Sequence, residues 1–110
     1  MAVWGEPGPA SFDAILARSL GHVGAYDRDL LVGFVNLAWD GGIHAFILDT
    51  CVHPGQRGQG IGTGLVLRTI EIARKHQVSW LHVDYEPHLA LFYEQCGFRA
   101  TTAGVMRLHP

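Results

Sequence analysis

At 110 residues, 48% of them apolar and 16% charged, the chain suits one folded domain around one core and is too apolar for a disordered segment. Its net charge of −2 and its lack of a long basic run argue against nucleic acid as the main partner. No apolar stretch approaches the roughly 18 residues of a membrane span. Met1 to Glu6 is no signal peptide, and Cys51 and Cys96 sit in apolar segments as free thiols would, so a cytoplasmic protein is expected.

Gly5 to Ala10 holds two prolines and two glycines and reads as irregular. Ser11 is a good N-cap for a short helix, with Asp13 in its first turn and Phe12, Ile15, Leu16 and Leu20 on one face; Gly21 would end it as a C′ glycine. His22 to Tyr26 and Leu30 to Trp39 read as antiparallel strands joined by Asp27-Arg28-Asp29. The second is apolar on both faces, as a central strand covered on two sides would be. Asp40-Gly41-Gly42 is a hairpin turn, and Ile43 to Val52 a third strand.

That strand delivers the chain to Val52-His53-Pro54-Gly55-Gln56-Arg57-Gly58-Gln59-Gly60-Ile61-Gly62-Thr63-Gly64-Leu65. An amphipathic helix comes next, reaching about His76, with Ile61, Leu65, Val66, Ile70, Ile72 and Ala73 on its apolar stripe. Strand, glycine-rich turn and helix make an anion-binding layout, because the first amides of a helix lack partners and the helix dipole adds about +0.5 charge there. A Walker loop fails, since Ile61 stands where its lysine should be; a dinucleotide fingerprint fails at Thr63 in one register and at Leu65 in the other.

Trp80 to Val83 is a short buried strand, which with the third strand and the helix implies a parallel pair and a right-handed crossover. Pro87 can open a last helix, with Leu89, Phe92, Tyr93 and Cys96 on one face and Gly97 past its end. Phe98 to Leu108 reads as a final strand or two short ones.

Arg57, Gly60 and Gly62 form R-x-x-G-x-G just after a strand ending in Val-x-Pro, and this resembles the coenzyme A loop of the GCN5-related N-acetyltransferase (GNAT) family. The segment Leu81-His82-Val83-Asp84, then Leu89 to Phe98, is similar to that family's strand and its helix ending A-x-x-F-Y-x-x-x-G-F, although Ala90 lies one residue closer to Phe92-Tyr93 than usual. The resemblance covers about residues 30 to 100. It implies one acetyltransferase domain over 1–110, of the α/β (α+β) class: a mixed, mostly antiparallel twisted sheet of about six strands with helices on both faces and a shortened N-terminal part. The third strand and the Trp80 strand should be parallel neighbours that splay apart at their C-terminal ends.

The resemblance also implies transfer of the acetyl group of acetyl-CoA to a primary amine of a small molecule or peptide, by direct attack in a ternary complex. The amides of Arg57, Gly58, Gln59, Gly60, Ile61, Gly62 and Thr63 would hold the pyrophosphate. The pantetheine arm would pair with the strand end at Cys51 and Val52, where a backbone N–H near Val52 could polarise the thioester carbonyl. Tyr93 would be the general acid for the departing thiolate; Asp49, at a strand position where relatives carry an acid, would be the base, with His82, Asp84 and Glu86 as further candidates. An apolar strand flanking Asp49 suggests a buried carboxylate, which must be partnered or functional. An asparagine that commonly opens the last helix is replaced here by Pro87-His88, so the resemblance would put His88 beside the pantetheine arm.

Seven histidines raise the question of a metal, and His82-x-Asp84-x-x-x-His88 has ligand types, but no pair lies at helical histidine spacing and no C-x-x-C exists, so no metal is expected. Cys51 as a thiol nucleophile with His53 or His82 is another chemistry the residue types permit. The alternative function is a coenzyme A-binding module or regulatory protein without transferase activity, since the segment that normally shapes the acceptor pocket is trimmed. A homodimer is expected, because so few elements leave a two-sided apolar sheet short of cover.

Overall fold

A computed structural model describes residues 19–109. Four strands form one sheet in sequence order: β1 (Ser19–Asp27), β2 (Leu30–Trp39), β3 (His44–Val52) and β4 (Trp80–His82). The first three are antiparallel, and β3 and β4 are parallel. Helix α1 (Ile61–Lys75) makes the β3-to-β4 crossover, and a short α2 (Ala90–Gln95) comes after a 3-10 turn at Pro87–Leu89. This is the mixed, mostly antiparallel α/β fold that the sequence implies, with four strands among the described residues instead of about six.

β2 lies between β1 and β3, and Val32 to Leu37 are all buried. Its two faces do different work. A Cβ on Gly33 would come within 3.0 Å of both Ile61 and Leu65, so Gly33, and with it Val35 and Leu37, faces α1. Val35 and Leu37 join Ala45, Ile47, Leu65, Val66, Ala73, Tyr93 and Cys96 in a single core. Each large member contributes about 1.5–3 kcal/mol by leaving water. Both described helices therefore share one core on one side of the sheet. On the other side of β2, Ser19 Oγ donates to Asn36 Oδ1 at 2.5 Å, and Asn36 is 1% exposed.

Several expectations need correction. Gly21 is not a helix cap: it pairs with Leu37 inside β1, which begins at Ser19 and takes in Leu20. The rest of the helix expected around residues 11–20, the candidate for the sheet's second face, lies outside the described residues. β4 is not a buried strand; Trp80 is 54% exposed, and only Leu81, which pairs with Ala45, turns toward the core. Phe98 to Leu108 forms no strand, and Val105, Met106 and Leu108 are 79% exposed or more. Its apolar residues resemble a strand's, but a strand needs a neighbour for its backbone ladder, and none of the described strands pairs with this segment.

The ladder between β2 and β3 is irregular at one place. Phe34 pairs with Cys51 and Asn36 with Leu48, so Asp49 and Thr50 together oppose the single residue Val35. Asp49 has φ 58°, the left-handed conformation of the first residue of a glycine-type β-bulge. Asp49 is also exposed, so the buried carboxylate expected there is not found.

Candidate active site

The ladder between β3 and β4 runs only from His44–Trp80 to Phe46–His82, while β3 continues to Val52. β4 ends at His82, so β3 has no β4 partner past Phe46. A groove of about 700 Å³ opens there, walled by the end of β3, the glycine loop and α2.

The loop wall is built for an anion. His53 starts it by accepting from Gly55 N–H at 3.1 Å through Nδ1, and Pro54–Gln56 make one 3-10 turn. Gly58 at φ 83° and Gly60 at φ 79° then take left-handed conformations that bring the backbone to the start of α1. Gly60 caps that helix without a side-chain hydrogen bond, and no acidic residue stands in its first turn. The first amides of α1 are thus left for a ligand, at the positive end of the helix dipole. A Cβ on Gly58 or Gly60 would meet nothing within 4 Å among the described residues, so the approach to these amides is open. Gly62 differs: its Cβ would touch the Phe92 ring at 3.4 Å, so its bareness lets α2 close against α1.

Arg57, Gly58, Gly60, Ile61, Gly62 and Thr63 line the groove, and Arg57 Nε also donates to the Val52 carbonyl at 3.4 Å. Cys51, Val52 and His88 line it as well. Gln59 is exposed on the loop and is not part of the lining.

Tyr93 enters from α2. It is 5% exposed, stacked on Tyr85 at 4.8 Å and met edge-on by Phe92 and Phe98. Burial pushes its phenol above the usual value; a hydrogen bond with the Thr50 side chain pulls down, and the Cys96 and Asp84 charges push up. The phenol is therefore protonated across the neutral range. Burial also raises the Cys51 thiol, with the Asp49 charge adding to it, so Cys51 is a poor thiolate nucleophile.

Asp49 is not part of the groove lining; it occupies the bulge on the rim strand. His82 also lies outside it. Its Nε2 sits 2.8 Å from His44 Nδ1, and its ring stacks on Phe46 at 4.8 Å on the sheet face away from α1. The described residues bring no three potential metal ligands together. Sequence reasoning missed Thr50. Its only signal was the neighbouring aspartate, a residue type that tolerates the left-handed bulge position.

Comparison with known proteins bears on this arrangement. Residues 2–98 match the acetyltransferase (GNAT) family. An uncharacterized N-acetyltransferase of Pyropia yezoensis is 33% identical over 75 residues, 68% of this chain but 43% of that protein, so the chain spans less than half the length of this relative. The crystal structure of a Trypanosoma brucei acetyltransferase aligns over 96% of this chain and 82% of its own, at 28% identity and TM-score 0.76. Glucosamine-6-phosphate N-acetyltransferase of Arabidopsis thaliana, at 16% identity, 90% and 74% coverage and TM-score 0.77, shares the fold.

Proposed function

The chain belongs to the acetyltransferase (GNAT) family, and we propose that it moves the acetyl group of acetyl-CoA to a primary amine of a small molecule or peptide, by direct attack within a ternary complex and as a single domain. The observation that carries this reading is that one groove joins the uncapped amide end of α1 to the buried phenol of Tyr93.

Acetyl-CoA fits the groove by chemistry. Amides of the loop from Arg57 to Thr63 donate to pyrophosphate oxygens, with the Arg57 charge beside them. The end of β3 at Cys51 and Val52 has no β4 partner, so its backbone is available to the amides of the pantetheine arm, and His88 lines the opposite wall. A backbone N–H near Val52 polarises the thioester carbonyl. The amine nitrogen attacks the carbonyl carbon, the C–N bond forms, and the C–S bond breaks with its electron pair on sulfur. Tyr93 gives that sulfur its proton, and the proton shed by the amine returns through solvent to the phenolate. Asp49 is the proposed acceptor of the amine's proton at the rim, with Asp84 as the second carboxylate near Tyr93. The protein acts as a homodimer in this reading.

Mixing the protein with acetyl-CoA and a panel of small amines, polyamines, amino acids and peptides, and following free thiol, tests the proposal. Amine-dependent thiol release is expected. Coenzyme binding without release for any amine would replace it with a coenzyme A-binding module.

A further inference from the structure

The bulge at Asp49 reverses which side chains of β3 face the helices. Before it, Ala45 and Ile47 are in the core, while Phe46 and Leu48 are exposed on the opposite face. After it, Val52 pairs with Gly33, which faces α1, and Val52 Cγ2 lies 3.8 Å from where a Cβ of Gly62 would stand. Strand alternation puts Thr50 on the side of Val52. With no bulge, Thr50 would join Phe46 and Leu48 on the far face. With it, Thr50 lines the same groove as Tyr93, and its side chain acts on the phenol to pull its pKa down.

A phenol that is to protonate a thiolate must keep its own O–H aimed at sulfur. Its oxygen can then only accept from a neighbour, and a threonine hydroxyl can donate. We propose that Thr50 is a positioning residue for the transfer: turned inward by the Asp49 bulge, its hydroxyl donates to the Tyr93 oxygen, orients the phenolic proton toward the departing sulfur and holds the phenolate left behind. This inference rests on the general-acid reading of Tyr93. No new bond is formed or broken by Thr50; the proton on sulfur is Tyr93's, and the threonine keeps its own. The charged and titratable groups around the phenol are Asp84 and Cys96, with the Tyr85 ring stacked on it.

The chain has three tyrosines, so a protein carrying Tyr26→Phe and Tyr85→Phe leaves Tyr93 as the sole phenol for ultraviolet titration. Adding Thr50→Val to that background should raise the pH at which Tyr93 ionises, and Thr50→Ser should restore it. This readout needs no acceptor. In thiol release with the fastest amine of the panel, Thr50→Val should lower kcat about tenfold, as loss of a hydrogen bond to a developing charge does. Acetyl-CoA affinity should be kept, Thr50→Ser should recover the rate, and Thr50→Val should add no further loss on top of Tyr93→Phe. An unmoved titration, or an equal loss in the Tyr93→Phe background, overturns the inference. The two failures are separable: wild-type kcat in Tyr93→Phe removes the general-acid reading itself, whereas an impaired Tyr93→Phe beside an unimpaired Thr50→Val removes only the role of Thr50.

Discussion

Tyr93 in the groove and Asp49 on its rim strand can be assigned by substitutions that separate backbone from chemistry. Tyr93→Phe deletes one oxygen and little volume, so the core should hold and acetyl-CoA should bind as before. A thiolate whose acid has a pKa of about 8.5 already leaves tolerably, so the loss in kcat should be about 10–100-fold, the low end for general acid catalysis. The pH dependence has a definite sign. Burial raises the Tyr93 pKa, so the acid form and the activity that needs it persist through neutrality and are lost as pH climbs through the raised value. The unfolded phenol ionises first, near 10, so the same residue costs folding stability only above that pH. Asp49 presents the opposite problem, because its φ of 58° gives it a backbone role whether or not it moves a proton. Asp49→Gly and Asp49→Asn both suit a left-handed bulge, whereas Asp49→Val should cost about 1–3 kcal/mol in thermal or urea unfolding. If the carboxylate takes the amine's proton, Gly and Asn variants fold well and lose kcat alike, with partial recovery at higher pH; wild-type rates in both would leave Asp49 as the bulge residue alone.

The glycine loop and α1 make a prediction in which stability and binding move apart. In Gly60→Asp the new side chain enters open space, but at φ 79° it occupies left-handed backbone that costs an L residue about 1–2 kcal/mol, with aspartate among the types that visit it most readily. The melting temperature should fall modestly with the fold kept, while a negative charge set beside the pyrophosphate should weaken acetyl-CoA by at least about tenfold in calorimetry. Unchanged affinity in a folded Gly60→Asp protein would make the loop a cap and nothing more. This element was also the most legible in the sequence, because its glycines fall where the backbone requires them and the apolar stripe of α1 is periodic. The parallel β3–β4 pair was implied by strand, helix and strand in succession. Other features left weaker marks. Trp80 reads as a core residue by type, yet β4 turns it outward, since alternation decides the face and a three-residue strand gives almost no pattern to read. The bulge shows only as one aspartate in an apolar run, and without the bulge Thr50 could not be placed in the groove. Phe98 to Leu108 has strand-like residues, but pairing is a property of the partner as much as of the segment.

At the scale of the whole molecule, the sheet face away from α1 is unevenly covered. Val32, Phe34 and Asn36 on β2 are buried, but Phe46, Leu48 and Trp80 are 38%, 40% and 54% exposed on β3 and β4. Register joins them: Trp80 pairs with His44, and Phe46 with His82, so all these side chains emerge on one side. Scattered apolar residues on a surface need no cause, but a contiguous aromatic and aliphatic patch beside a strand whose outer edge is unpaired among the described residues suits association. A second copy of the chain could cover it, and a stable homodimer would have to bury about 800 Å² on each partner. Light scattering at tens of micromolar should then give twice the 12.0 kDa chain mass. Trp80→Glu puts a charge at the patch without entering the core, so it should keep the fold by circular dichroism and shift the mass toward the monomer. Because Trp80 lies outside the groove proposed for the coenzyme, acetyl-CoA affinity should survive in that monomer, while amine-dependent thiol release should fall if the partner copy completes the acceptor side. A wild-type protein that is monomeric at these concentrations would contradict the dimer; a dimer that Trp80→Glu leaves intact would move its interface to another surface.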